Sequence, residues 1–320
     1  MNEQDLKGIY PAVILPMDSA FRPDFEAFGD YLEWLIGQDA KGFAINMDTG
    51  EGPQLTAEER RRVAEKAVAV AKGRVFVLGG VMGATTAGAA ENARMYREVG
   101  VDGLVVFPNA AFRNDPLDPR IPVDYHEAIA NASGLPIVLF QLAPVFGGVN
   151  YTRETLLQLL QIPQVIGIKE ASFDAQYFAY TKDTVDMVNR PITIMTGDDL
   201  FIAESILLGA RGGLLGFGAV GSKLVADMLA SANAGRLHEV TAQRPRTAAL
   251  ANVIYKNPVL DYRARSKVAL AHMGIIDHGL TYVHPPLLQI DDEESAVIRQ
   301  AIQEAGLLGA EEAEPMAAPG

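Results

Sequence analysis

The feature that most constrains this chain is the alternation of eight short β-rich runs with longer segments of helical apolar spacing. The runs fall at Tyr10–Leu15, Gly42–Asn46, Val75–Leu78, Gly103–Phe107, Pro136–Phe140, Val165–Ile168, Ile192–Met195 and Gly212–Leu215. Such alternation signals parallel strands joined by crossover helices. Several helix ends are marked. Thr56-Ala-Glu-Glu59 forms a capping box before a helix running toward Lys72, and Gly73 offers a left-handed stop. A helix from about Ala87 stops at Gly100, and one after Tyr151 opens on Thr152. A chain of 320 residues suits two average domains or one large one. No linker or charge break divides it near the middle, and its period is too irregular for a solenoid. The expectation is a single (β/α)8 TIM barrel over residues 1–221, with additional C-terminal helices. Residues 222–308 then supply barrel helix eight and helices packed outside the same domain. The last stretch, 309–320, is small, acidic and proline-containing, and is expected to be disordered.

Composition narrows the function. The net charge of −13, without a Lys/Arg block, argues against nucleic acid or an anionic membrane as partner. No apolar stretch approaches the roughly 20 residues of a membrane helix. The opening MNEQDLKG lacks the basic and apolar regions of a secretory signal, so a cytoplasmic protein is expected. With no cysteine, disulfides, thiolate metal sites and a cysteine nucleophile are excluded together. His126, His238, His272, His278 and His284 form no close ligand pair, and no metal is expected. No cofactor is expected either.

In a barrel of this kind the chemistry lies at the C-terminal ends of the strands. The apolar run Val165-Ile166-Gly167-Ile168 delivers Lys169 there. Desolvation lowers a lysine pKa, and a partly neutral amine near pH 7 can form an imine with a ketone. The alternative is a strand-end lysine that reaches solvent or pairs with Glu170. After the second strand, Thr49 and Gly50 build a turn that can offer backbone N–H groups and a hydroxyl to an anion, with Gly50 permitting the backbone angles of a nest. An ordinary turn is the alternative. Glu51 reads as a structural acceptor at the mouth. The glycines of Gly212 to Gly218 lie where many barrels hold phosphate, or simply relieve crowding. Asp198 and Asp199 read as a turn and helix cap.

Further motifs agree in order and separation. Gly167-Ile168-Lys169-Glu170-Ala171-Ser172, Met47-Asp48-Thr49-Gly50-Glu51, Thr196-Gly197-Asp198-Asp199, Gly103 to Pro108, Gly274-Ile275-Ile276 and Pro285-Pro286-Leu287-Leu288 together resemble the dihydrodipicolinate synthase and N-acetylneuraminate lyase group of class I aldolases. The match runs from about Gly8 to Leu308. The resemblance implies a barrel, an imine between Lys169 and a 2-oxo acid such as pyruvate, no metal, and a homo-oligomer, tetramer or dimer.

The chain departs from that pattern where the proton is moved. The family usually carries a strand-five tyrosine in a Tyr-Asn-x-Pro setting; here the residues are Phe140-Gln141-Leu142-Ala143-Pro144. Phe140 can neither donate nor accept a proton. Met47 and Asp48 replace the first glycine and threonine of the carboxylate loop, and Asn109-Ala110 replace the tyrosine pair expected after Pro108. Carbon–carbon cleavage needs a base for the 4-hydroxyl, whereas dehydration of an imine needs removal of a C3 proton and departure of hydroxide. The branch that resembles the Gln-x-Ala-Pro pattern includes dehydratases and deaminases of sugar-acid or hydroxyproline breakdown. Asp48 is a candidate acid, base or substrate partner, or else stabilises the turn. Gln141 is a candidate hydrogen-bonding group for substrate. The loop from Asn109 to Pro122 is expected to cover the mouth, and Arg113 there is a candidate for a distal carboxylate. Tyr125 and His126 read as packing or surface residues. A non-catalytic 2-oxo-acid-binding barrel and a phosphate-binding isomerase or aldolase are the rival readings.

Overall fold

Each of the eight expected runs overlaps a strand, the first of them only at Tyr10 and Pro11, and the helical segments between them lie outside. In the computed structural model, which describes residues 1–308, the strands are β1 (Gly8–Pro11), β2 (Gly42–Ile45), β3 (Phe76–Val81), β4 (Gly103–Val106), β5 (Ile137–Leu142), β6 (Val165–Ala171), β7 (Thr193–Thr196) and β8 (Gly212–Leu215). The alternating helices are α1 (Phe25–Gly37), α2 (Ala57–Ala71), α3 (Thr86–Val99), α4 (Arg120–Ser133), α5 (Arg153–Leu159), α6 (Ala175–Asp186), α7 (Ile202–Leu208) and α8 (Gly218–Asn233). Three more follow: α9 (Leu237–Ile254), α10 (Tyr262–His272) and α11 (Asp292–Glu304).

All strand pairs are parallel, in the order β1-β8-β7-β6-β5-β4-β3-β2. A bridge from Ala12 to Ala44 joins the remaining edges, with Val13 N donating to Ala44 O at 3.1 Å. The chain is therefore a (β/α)8 barrel with additional C-terminal helices. The expectation for 309–320 falls outside the described residues. Among the described residues, no helix is long and apolar enough to cross a membrane.

Strand pleating sorts the buried side chains into two layers, because successive residues face opposite sides. Leu78, Val105, Val138, Phe140, Met195 and Leu214 fill the barrel interior. Ile45, Leu104, Leu139, Ile168 and Ile194 face the helices. The caps form largely as read. Thr56 and Glu59 complete their box, Thr152 caps α5, and Gly100 takes the left-handed position after α3. The stop of α2 falls one residue earlier than expected, at Lys72 with φ 45°, and Gly73 follows at φ 72°. Two boundaries shift in ways that matter. β3 runs on to Val81, and β6 runs on to Ala171, so Lys169 lies inside its strand rather than beyond it.

Candidate active site

β5 and β6 pair in a register that sets Phe140 beside Lys169 and Gln141 beside Glu170. The first pair faces the barrel mouth. Lys169 Nζ stands 3.9 Å from the centre of the Phe140 ring, and Phe107 packs edge-on against that ring at 5.2 Å. Lys169 is 8 % exposed. Burial, only partly offset by Asp199, Asp48 and Asp198, pushes its pKa down to about 8. A Cβ on Gly197 would sit 2.7 Å from Lys169 Cε and 2.8 Å from Ala171 Cβ, so only glycine leaves this lysine room.

The second pair faces the helix layer. Gln141 is fully buried; its amide donates to Glu170 Oε1 at 3.0 Å and Thr181 Oγ1 at 2.8 Å, and its carbonyl accepts from Tyr151 N at 3.1 Å. It does not line the mouth, which corrects its candidacy as a substrate ligand. Adjacent strand residues cannot both face inward, and Phe140 takes the inward place. Glu170 meets Asp198 behind the barrel wall. Both carboxyls are pushed up, first by burial and then, for Asp198, by the Glu170 charge.

A cavity of about 410 Å³ opens over Lys169. Its polar wall carries Asp48, Thr49, Asp199, Tyr255, Tyr262 and Arg263. Phe140, Leu142, Phe146, Phe173, Leu200 and Leu260 form its apolar wall. Asp48 and Thr49 thus lie where the sequence put them. Arg263 Nε donates to the Asp48 carbonyl at 2.6 Å, and its guanidinium stands 3.8 Å from the Asp48 carboxylate. The Thr49 and Tyr262 hydroxyls are 3.4 Å apart.

Gly50 is buried and acts differently from the expectation. The left-handed residue of this turn is Glu51, at φ 57°. Gly50 is required by close approach, since a Cβ there would lie 2.7 Å from Val13 O. Glu51 is fully buried as a structural acceptor, taking Lys267 Nζ at 2.7 Å and the His284 backbone N–H at 2.8 Å. Arg113 lies outside the cavity lining and donates to the Gly147 carbonyl, tying the loop after β5 in place. The loop from Asn109 to Pro122 contributes no lining residue, so it does not cover the mouth as expected. Tyr125 and His126 are packing residues; burial pushes the His126 pKa down to about 4.

Sequence reasoning missed four residues. Asp199 does not cap α7, whose N-cap is Phe201; it accepts Phe217 N at 2.8 Å and lines the cavity, while Asp198 accepts Phe173 N at 2.8 Å. Burial pushes Asp199 up to about 6. Tyr255 comes from the end of α9, and Tyr262 and Arg263 from the start of α10, a segment expected to pack outside. Two tyrosines bracketing Pro258 between helical stretches were the available signal. Among the described residues, no cluster of His, Asp and Glu could hold a metal ion.

The model of the dihydrodipicolinate synthetase family matches residues 5–305. A 4-hydroxy-tetrahydrodipicolinate synthase of Jannaschia sp. is 31% identical over 308 residues, covering 94% of this chain and 99% of the relative. One from Gluconacetobacter diazotrophicus is 27% identical over 304 residues, covering 94% and 98%. Among solved structures, a chloride-inhibited dihydrodipicolinate synthase from Acinetobacter baumannii, complexed with pyruvate, superposes with a TM-score of 0.82 at 25% identity. The overlap covers 95% of this chain and all of that one.

Proposed function

The chain belongs to the dihydrodipicolinate synthetase family, and on that premise we propose that it is a lyase that forms an imine between Lys169 and a 2-oxo acid. One observation carries the reading. A buried amine with its pKa lowered to about 8 points into a cavity large enough for a small acid. At pH 7 about a tenth of such an amine is neutral and nucleophilic. Nζ attacks the C2 carbonyl, two protons reach the carbonyl oxygen, and water leaves the protonated imine. The substrate carboxylate sits at the turn of Asp48, Thr49 and Gly50, with the Thr49 hydroxyl donating to it.

The step after the imine is elimination of water or ammonia, or an aldol cleavage, on a sugar-acid or hydroxy-acid type substrate. Elimination is the better supported of these, because Phe140 provides no strand-five hydroxyl for the 4-hydroxyl proton. A cytoplasmic dimer or tetramer and a single barrel domain with its C-terminal helices are part of the same proposal. The Phe140 substitution also favours a second reading, a 2-oxo-acid-binding barrel without turnover.

Borohydride reduction in the presence of pyruvate, followed by peptide mass spectrometry, tests the first step. The expected product is Lys169 heavier by one pyruvic acid less one oxygen, and none in Lys169→Ala. No adduct with pyruvate or any sugar-derived 2-oxo acid would sink the proposal. Adducts without product in any elimination or aldol assay would establish the binding-protein reading instead.

A further inference from the structure

The cavity holds a phenol that the imine-forming step leaves unused. Tyr255 ends α9, is 5 % exposed, and stacks on Tyr262 with ring centres 4.9 Å apart and planes at 15°. Its hydroxyl is buried and makes no well-aligned hydrogen bond. The cavity lining places it among Lys169, Thr49 and Asp199. A Cβ on Gly216 would overlap the Tyr255 hydroxyl and approach Thr49 Oγ1 to 3.2 Å, so both hydroxyls converge over that glycine. Asp199, held by Phe217 N, is the charge that acts most strongly on both Tyr255 and Lys169. Its carboxyl is within reach of the phenol.

We propose that Tyr255, backed by Asp199, moves the C3 proton of the substrate imine, supplying from the C-terminal helices the hydroxyl that Phe140 lacks. This rests on the imine at Lys169. In the forward step the C3–H bond breaks and its electron pair becomes the C2=C3 bond of an enamine. The C2=N pair returns to nitrogen and cancels its positive charge. The C3 proton passes to Tyr255 Oη as the Tyr255 hydroxyl hydrogen passes to the Asp199 carboxylate. The reverse sequence returns a proton to C3, and in an elimination the enamine expels the C4 substituent. Burial holds Asp199 near pH 6, where a carboxyl exchanges protons readily at neutral pH. Glycine at position 216 keeps the approach open.

Exchange of the pyruvate methyl protons in D2O, followed by proton NMR, reads this step without the natural substrate. Wild-type protein is expected to trap pyruvate with borohydride and to exchange its methyl protons. Tyr255→Phe keeps the ring stack; it is expected to retain trapping and the KM for pyruvate while exchange slows about 100-fold. Asp199→Asn is expected to slow exchange likewise and to flatten its pH profile near pH 6. Should Tyr255→Phe not fold, Asp199→Asn alone carries the test. Trapping without exchange in the wild type, or exchange within twofold of wild type in the variants, overturns the relay and leaves the imine standing. Absence of trapping in the wild type overturns the imine reading and the relay with it.

Discussion

Lys169 shows how reactivity is drawn from a residue that the fold would hold more cheaply as an apolar one. An ammonium in this interior loses hydration that its surroundings only partly replace, which is why its pKa falls from 10.5 to about 8. That shift corresponds to about 3 kcal/mol of differential interaction between its two forms. Lys169→Met should therefore raise stability by about 1–3 kcal/mol at pH 7 while abolishing trapping, read as a melting point higher by a few degrees. The sign with pH follows. Between about pH 8 and 10.5 the unfolded chain keeps this proton and the folded chain does not, so wild-type stability recovers as pH rises through that window. The gap to the methionine variant should narrow over the same range. A lower melting point for Lys169→Met at pH 7 would contradict this account. Lys169 was legible because an apolar run points directly at it. Gln141 was misassigned although the sequence held the correction, since its neighbour Phe140 already occupies the inward face. Arg113 could not be placed, because a loop charge takes its direction from contacts distant in sequence, here the Gly147 carbonyl.

Among the elements, the turn after β2 depends on a tether that joins it to α10 and the segment beyond. Glu51 adopts the left-handed conformation and accepts from Lys267, itself fully buried, and from His284. Lys267 also donates to the Tyr282 carbonyl at 2.6 Å. Burial opposes the Glu51 charge, yet Lys267 and the hydrogen bonds win and hold its carboxyl below the usual range. Lys267→Met would strand that charge, at a cost of about 3–5 kcal/mol in urea unfolding at pH 7. A carboxyl with a depressed folded pKa contributes stability above its unfolded value and loses it as pH falls through the folded one. The deficit of the variant should thus shrink below about pH 4, and a deficit independent of pH would show that Glu51 is not the group involved. The strands and their order were readable from the runs and caps. The mouth was not, because which loops arch over a barrel is decided by tertiary packing. The sequence favoured the long loop before α4, and the structure uses the turn between α9 and α10.

For the molecule as a whole, the question is whether residues 1–221 and 222–308 behave as one unit. The cavity draws Asp48, Thr49 and Lys169 from the first stretch and Tyr255, Tyr262 and Arg263 from the second. Bonds cross between the stretches at several depths. Met17 N donates to Leu280 O at 3.0 Å. Arg263 and Lys267 anchor to Asp48 and Glu51. The second stretch is also closed on itself, since Arg265, fully buried, donates to the carbonyls of Ile254, Lys256 and Pro258 and so shapes the turn that carries Tyr255. Neither part can open without exposing a buried charge in the other, so the expected outcome is a single cooperative transition. The lone tryptophan, Trp34 on α1, reports the first stretch, whereas far-UV circular dichroism reports all the helices. Both signals should give one midpoint, and pyruvate at 100 times its dissociation constant should raise stability by about 2.7 kcal/mol in both. If Trp34 fluorescence instead stays native while a fraction of the helical signal melts, the C-terminal helices are a separable lid. In that case pyruvate, held from both sides, should move the first of the two steps.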